Sequence, residues 1–437
     1  MAMVHIVGCG LSGLSCAVQL AKQEIPITLY DQAGHAGGRC RSYHDTELDR
    51  LVDNGNHLIL SGNSDVQHFL QQIGAQDTLI QSAEPSYFFT DVQSDKSWTV
   101  RISPGLFPFW IFNKDARVPG TKAIDYISSF WKVMTAKASD TFTERLNRQD
   151  NLVKLFWEPL AIAALNTEPE TAAISLLKPV LRETFLRGGI YCKPMIAGPA
   201  GLSGSFIDPA LTLLKAHQVP IHLNRRLRNI ALENGRITRL EFTDSIVPIG
   251  PQDSIVLAVT AQVAGTLVPG LSVPQSFRSI INGHFRVRPR DASKLRLPND
   301  NPIIGVFGGT AEWIFIRDDV VSTTTSAAEK IVDRAAEDIA AALWSDIRRI
   351  FHLEGEHSDT AWRIVKEKRA TFAQTPEDVR RRPQTKPGIA SNLFLAGDWI
   401  DNGLPATIEG SLRSGRWAAQ AVAPYHGQKL HIPPGLR

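Results

Sequence analysis

Two glycine-bearing segments, near opposite ends of the 437-residue chain, hold the residue types and spacings best suited to chemistry. Near the start, the apolar run Val4-His-Ile-Val7 leads directly into Gly8-Cys-Gly10-Leu11-Ser12-Gly13, and an apolar-periodic stretch follows over residues 14–22. The pattern predicts a buried strand, a tight turn and a helix. In such a turn the first glycine allows the reversal, the second lets backbone approach a pyrophosphate, and the third permits close packing of strand on helix. The N–H groups that open the helix, at Leu11 and Ser12, then face the phosphates. A second strand, Ile27-Thr-Leu-Tyr30, ends in Asp31-Gln32. This puts an acid twenty-three residues after Gly8, where it can accept hydrogen bonds from ribose hydroxyls. Dinucleotide binding is predicted, with NAD and FAD not separated by the motif.

Toward the other end, Leu393-Phe-Leu-Ala-Gly397-Asp398 reads as a buried strand closing in an acidic turn. A polar loop follows, and a helix opens near Pro405-Ala406-Thr407. Asp398 would repel a phosphate but can accept from sugar hydroxyls; taken alone, the segment is equally an ordinary strand–turn–helix. After the second N-terminal strand, Gly34-His-Ala-Gly37-Gly38-Arg39 adds two glycines for close backbone approach and a guanidinium fork suited to a diphosphate. Asp53-Asn-Gly55-Asn56-His57 is a further glycine-bearing loop.

This order of motifs resembles the flavin amine oxidase and carotenoid desaturase superfamily over essentially the whole chain. In that superfamily the Gly-Gly-Arg element, the Asp-x-Gly loop and the C-terminal Gly-Asp segment all contact one FAD. The resemblance therefore implies non-covalent FAD, held by the motif residues named above, with Leu227 near the adenine. Within the superfamily the chain is most similar to the hydroxysqualene dehydroxylase branch. The residues that carry this likeness run from Gly397 to Gly410, from Glu367 through Lys-Arg-Ala-Thr-Phe-Ala-Gln-Thr to Pro376, over Pro159-Leu-Ala-Ile-Ala-Ala-Leu-Asn-Thr167, and at Trp313-Ile-Phe315. Asp31 departs from the pattern, in which Glu is commoner. The implied substrate is a long isoprenoid bearing an allylic hydroxyl, and the implied product is squalene. Protonation of the oxygen would release water and leave an allylic cation, which a hydride from reduced flavin N5 would quench.

An acid is needed for that step. His57 is one candidate, because its loop is expected near the flavin ring and its titration range suits proton donation; bonding to cofactor or backbone is the competing reading. Lys368, with Lys366 and Arg369, can stabilise negative charge on the reduced flavin or lie on a solvated face. Glu409, in the first turn of the last helix, has helix capping as its alternative. An isoprenoid desaturase would share fold and motifs but run the electrons the other way. A flavin-bound prenyl-lipid carrier without turnover is the reading from another class.

The elements that must position these residues belong to an α/β protein: a Rossmann-like FAD-binding domain of the flavin amine oxidase type with an inserted α+β substrate domain. The FAD-binding domain is expected to be discontinuous, from residues 1–85, 196–262 and 385–437. The substrate domain is assigned to residues 86–195 and 263–384. A helix over 206–217, a strand over 220–223, and a hairpin of 227–232 with 237–242 around Asn234-Gly235 are predicted in the middle. Ile331, Ala335, Ile339, Leu343 and Ile347 fall on one helical face and read as core. Residues 103–112, Ser-Pro-Gly-Leu-Phe-Pro-Phe-Trp-Ile-Phe, are dense in aromatics and broken by prolines. They suit a tunnel lining or an entrance dipping into a membrane interface.

Composition narrows the rest. A net charge of +3 is too small to argue for nucleic acid. Four cysteines, at 9, 16, 40 and 192, show neither a Cys-x-x-Cys pair nor ligand-like spacing to His. They predict a reducing compartment, no disulfide framework and no metal site. Neither a secretory leader nor a run of ~20 apolar residues is apparent. The expected location is cytoplasmic, with peripheral contact on the inner membrane face and with the upstream squalene-forming enzyme.

Overall fold

Short, wholly buried strands build the first layer. The computed structural model describes residues 2–297, 301–430 and 436. Five parallel strands lie in the order Ile221–His222, Ile27–Tyr30, Val4–Val7, Ser254–Leu257, Leu393–Leu395. The central three and the last are buried at every residue, as expected for parallel strands covered on both faces. The sheet thus draws its strands from three stretches far apart in sequence, and their C-terminal ends share one crevice.

Helix Leu11–Ala21 is buried along its whole length and packs on helix Ile408–Val422. Small residues allow the approach. A Cβ at Gly415 would lie 2.2 Å from the Ser12 carbonyl oxygen, and Ser15 Oγ donates to the Leu412 carbonyl at 2.8 Å. The two ends of the chain are therefore locked together by the helices that follow their cofactor-type motifs.

The second layer is a seven-stranded mixed sheet in the order Ala361–Phe372, Phe277–Arg286, Val320–Thr325, Trp313–Arg317, Ile303–Phe307, Ser86–Asp91, Lys96–Arg101. One face, with Ile281, Phe285, Ile314 and Val321, packs on Ile339, Leu343 and Ile347 of helix Ala336–Phe351. The other face carries Phe89, Trp313 and Phe315 and is roofed by short helices including Ala123–Met134, Glu158–Leu165 and Leu177–Glu183.

Most local expectations hold, with informative shifts. The hairpin forms as Leu227–Glu233 on Arg236–Phe242, its turn built on Asn234 at φ 51° and Gly235 at φ 72°. The apolar stripe at 339, 343 and 347 is core, but the helix starts only at Ala336. Ala335 has extended backbone, and Ile331 closes a preceding 3-10 turn. The helix expected over 206–217 begins instead as a π-turn, Ser203–Ile207, and becomes α-helical over Asp208–Ala216. A second π-turn, Val153–Trp157, precedes Glu158–Leu165 in the same way. In both cases a proline, Pro159 or Pro209, follows at the second α-helical position. A proline has no N–H to offer the carbonyl four residues back and its ring crowds that carbonyl, so a widened turn relieves the clash.

Candidate active site

The N-terminal glycines divide into two kinds. Gly8 has φ +112°, and a Cβ there would sit 2.3 Å from the Ala258 carbonyl oxygen; a Cβ at Gly13 would sit 1.9 Å from the Gly8 carbonyl oxygen. Both are required by the packing of the protein on itself. Gly10 is not: its φ is −74°, and a Cβ there would meet nothing within 4 Å. The space beside it is open, and no side chain caps the helix it begins, so that helix N-terminus is available to an anion. Gly37 lies against this turn, its N–H donating to the Cys9 carbonyl at 2.8 Å. Asp31 braces the same turn, accepting from the N–H groups of Cys9 at 2.7 Å and Ala33 at 2.8 Å.

From this crevice a single cavity of about 1160 Å³ runs to the seven-stranded sheet. That exceeds the roughly 300–1,000 Å³ of pockets for drug-sized ligands. Its polar end is lined by Gly8, Gly10, Leu11, Ser12, Asp31, Gln32, Gly37, Gly38 and Arg39, with Leu227 on the hairpin side and Gly397 and Asp398 across from them. Gly55, Asn56, His57, Pro405, Ala406 and Thr407 line it too. Its far end is apolar, walled by Phe89, Val100, Ile102, Phe156, Leu160, Phe185, Trp313 and Phe315. Of the residues singled out from sequence, Gly13 lies behind the turn and Lys368 is elsewhere.

Arg39 donates to Asp398 at 2.8 Å and to the carbonyl of Ala370. The neighbouring carboxylate holds the guanidinium firmly charged. Arg39 thereby ties the two motif-bearing ends of the chain to strand Ala361–Phe372. The loop around Gly55 is tethered in turn: Asn56 Nδ2 donates to the Thr323 carbonyl at 3.1 Å and to Thr324 Oγ1 at 3.2 Å, and its backbone N–H donates to Asn282 Oδ1 at 3.2 Å. Asp53 anchors the loop's start, receiving Ser42 Oγ at 2.5 Å, the Leu202 N–H at 2.9 Å and Arg317 at 2.9 Å.

Two further segments lace the wall, and sequence reasoning noticed them only through family likeness. Gln374 donates to the Leu165 carbonyl at 2.7 Å and accepts from Ala406 N–H at 3.0 Å. Asn166, in left-handed backbone at φ 44°, donates to Thr371 Oγ1 at 3.0 Å and accepts from Ala327 N–H at 2.7 Å. Residues 159–167, 367–376 and 397–410 thus meet around one cavity wall.

A sequence model of flavin containing amine oxidoreductases matches residues 11–423. Hydroxysqualene dehydroxylase of Sinorhizobium fredii is 39% identical over 416 residues, which cover 95% of this chain and 97% of that protein. The Zymomonas mobilis protein of the same name is 37% identical, covering 96% of this chain and 98% of its own length. The chain belongs to the flavin-containing amine oxidoreductase family, in its hydroxysqualene dehydroxylase branch. Other family members stand further off. A 15-cis-phytoene desaturase of Synechococcus elongatus is 23% identical, covering 96% of this chain and 95% of that protein. Among solved structures, an oxidoreductase from Methanosarcina mazei superposes with a TM-score of 0.69 at 13% identity, covering 95% of this chain and 99% of that one. Putrescine oxidase with bound putrescine gives 0.66 at 12%, covering 96% and 98%. These likenesses show the fold.

Of the two candidate catalytic groups, His57 lines the cavity and Lys368 does not. Lys368 is an outward residue of strand Ala361–Phe372, two-thirds exposed and paired to Asp333 at 2.6 Å. Alternation along the strand turns Glu367 and Arg369 toward the cavity instead. Lys366 likewise turns away, to the Arg334 carbonyl. His57 does line the cavity, but burial pushes its pKa down to about 4, with Arg39 adding to the effect and Asp53 opposing it. That shift favours the neutral imidazole at neutral pH. Glu409 accepts from the N–H groups of Asp65 at 2.9 Å and Val66 at 2.8 Å, capping helix Ser64–Ile73 rather than its own. Burial and the nearby Asp65 push its carboxyl upward.

Proposed function

We propose that this chain binds FAD non-covalently and reductively removes the allylic hydroxyl of hydroxysqualene to give squalene. One observation carries the reading: a single cavity of about 1160 Å³ joins the open glycine turn at Gly10 to an apolar, aromatic-walled arm. The names of the S. fredii and Z. mobilis relatives point the same way.

Gly8, Gly10, Leu11, Ser12, Gly37, Gly38 and Arg39 would hold the diphosphate and its sugars with Asp31 and Gln32, and Leu227 would lie by the adenine. Gly55, Asn56, Gly397, Asp398, Pro405, Ala406 and Thr407 would hold the remainder, down to the ring. The fit is supported by the open space at Gly10 and by the uncapped helix behind it. Non-covalent binding is supported by the cysteines: all four are free and buried, and burial raises every thiol. A buried protonated thiol is a poor nucleophile.

When bound and fully reduced, FAD would supply the hydride, while the hydroxyl oxygen takes up a proton and leaves as water. The chain's own residues do the rest. Phe156, Leu160, Trp313 and Phe315 hold the isoprenoid and exclude water, and aromatic faces there stabilise positive charge on the allylic carbons. His57 acts as a neutral hydrogen-bonding group facing the cavity. On this reading, residues 1–85, 196–262 and 385–437 form the FAD-binding domain, and 86–195 with 263–384 the substrate domain. The substrate dissolves in lipid, so the enzyme works at the surface of the membrane that holds it and receives the alcohol from an upstream squalene-forming enzyme. Among the described residues no helix is long and apolar enough to cross a membrane.

The test is anaerobic. Protein reconstituted with FAD and chemically reduced is mixed with detergent-dispersed hydroxysqualene, and products are identified by mass spectrometry. Squalene together with oxidised flavin supports the reading. Turnover only with oxidised flavin, to a more unsaturated product, would make the chain a desaturase; a spectral shift without product would make it a carrier.

A further inference from the structure

Helix Ala123–Met134 is apolar on both faces, with Phe130 and Met134 packed inward. Its inward positions include Tyr126, Ser129 and Val133, while Ile124, Ile127 and Trp131, at helical spacing on one face, are 52–70% exposed. Two more segments present large apolar side chains to solvent. Leu106, Phe107, Phe109 and Phe112 are 62–70% exposed, and Leu186 and Ile190 are about half exposed. Nine of the thirteen large apolar side chains exposed among the described residues fall in these three segments. A scattered set would need no explanation; a concentration of this kind does.

The three segments adjoin. Trp110 stacks edge-on against Tyr126 at 5.0 Å, and the Tyr126 hydroxyl accepts from Val118 N–H at 2.9 Å. Gly189 packs directly on the Ser103 carbonyl, and Ile190 N–H donates to the Pro104 carbonyl at 2.9 Å. Behind the face the aromatic stack continues inward: Trp110 and Tyr126 reach Phe156, which reaches Phe185 at 6.0 Å. Phe156 and Phe185 line the cavity, so the outer face and the cavity wall are one aromatic cluster, one residue thick at Phe185-Leu186.

Charge chooses the partner. Exposed cations flank each segment: Lys114 after Phe112, Lys122 before Ile124, Lys132 after Trp131, and Arg187 after Leu186. Over residues 101–132 and 182–193 there are eight Lys or Arg against three Asp or Glu. One of those acids, Glu183, is turned inward onto Arg413. Aromatic and aliphatic side chains rimmed by cations suit the headgroup–acyl boundary of a negatively charged bilayer.

We propose that this three-segment face docks the enzyme on an anionic lipid bilayer and passes the isoprenoid from the lipid into the cavity beside Phe185. The role of the face in substrate entry rests on the reading of the apolar arm as the isoprenoid site; its attachment to lipid does not.

The test uses the full-length flavin-loaded protein in vesicle flotation, with pure phosphatidylcholine vesicles and with vesicles containing phosphatidylglycerol. The wild type is expected to float with the phosphatidylglycerol vesicles and far less with phosphatidylcholine alone. Phe109→Ser and Trp131→Ser should each weaken flotation by about tenfold, whereas Leu232→Ser and Ile246→Ser, exposed elsewhere, should leave it unchanged. As a check that does not depend on disturbing the fold, bilayer-confined brominated lipid should quench part of the tryptophan emission. Trp131→Phe should remove that component while flotation persists. Lack of wild-type flotation, equal flotation of all four serine variants, or quenching that survives Trp131→Phe would overturn the proposal. So would a face whose variants lose only self-association or binding to another protein. Turnover of detergent-dispersed substrate is a separate readout: its absence in the wild type would defeat the proposed reaction while leaving bilayer docking standing.

Discussion

The two ends of the cavity are built by different means. At the glycine end, contacts come from backbone: N–H groups at a helix start, a turn that needs φ +112° at Gly8, a parallel bridge between Gly10 and Gly37. At the apolar end, side chains from strands 86–91, 96–101 and 313–317 and from helices 158–165 and 177–183 meet with no local pattern to announce them. Backbone geometry constrains residue type at fixed spacing, so it leaves a motif. Packing asks only for volume and apolarity, so many sequences satisfy it.

The largest expected effect tests the first kind of construction. Gly10→Val should weaken FAD binding by more than about a hundredfold, because the side chain fills space meant for a pyrophosphate. The apoprotein should keep its melting temperature, since nothing of the protein lies within 4 Å of that Cβ. Gly13→Val should instead prevent folding, its Cβ colliding with the Gly8 carbonyl. Equal behaviour of the two variants in calorimetry and flavin titration would erase the distinction between glycines that serve the ligand and glycines that serve the fold.

At the apolar end, Trp313→Ala should raise KM for the isoprenoid by about tenfold or more, for a loss of roughly 2 kcal/mol of apolar contact. Flavin content should be unchanged. A drop in flavin occupancy would mean that the two ends are not separable.

This contrast explains what could be read in advance. Gly8 and Gly37 were legible because their turns impose residue type through positive φ, and the Asn-Gly hairpin at 234–235 was legible for the same reason; the last helix, expected to open near Pro405, starts at Ile408 with Thr407 as its cap. Of the apolar lining, residues 159–167 and 313–315 were marked only through family likeness, and Phe89, Val100, Ile102, Phe156 and Phe185 were not marked at all, since such residues resemble any core residues. The facing of Lys368 could not be read because three basic residues within the four positions 366–369 show none until strand alternation is known. His57 lines the cavity as its loop suggested, but the lowering of its pKa by burial cannot be read from that loop. The outward face of helix 123–134 was missed entirely: its periodicity is that of an ordinary core helix, and only exposure reveals which side is inward.

Asn166 sits between the two ends, and Asn166→Ala should cost about 1–3 kcal/mol in chemical denaturation by leaving the half-buried Ala327 N–H without its acceptor and Thr371 Oγ1 without its donor. Asp31→Ala should weaken FAD by roughly tenfold or less, well short of Gly10→Val, as sugar contacts and the bracing of the Cys9 and Ala33 N–H groups are lost. A loss equal to that of Gly10→Val would mean that the turn depends on Asp31 for its shape.

The smallest effect is a pH slope. His284 is fully buried, bonded to Ser322 at 2.8 Å, and its pKa is pushed down to about 4 by burial, as is that of His57. A folded-state pKa below the unfolded value near 6.5 means that the unfolded chain binds more protons between those values. Stability is therefore complete above about pH 6.5 and falls on acidification toward pH 4. For His284 the slope is at most about 1.4 kcal/mol per pH unit. Denaturation at a series of pH values should show a shallower slope in His284→Gln; an unchanged slope would assign the acid sensitivity to other groups.

If reduced FAD and an allylic alcohol meet in the one cavity, heavy water reveals it most directly. Flavin N5–H exchanges with solvent, so protein reduced and turned over in deuterium oxide should yield squalene with one deuterium, at the carbon that lost oxygen or at its allylic partner. Squalene lacking deuterium would contradict the reductive step, and a product with an added double bond would contradict its direction.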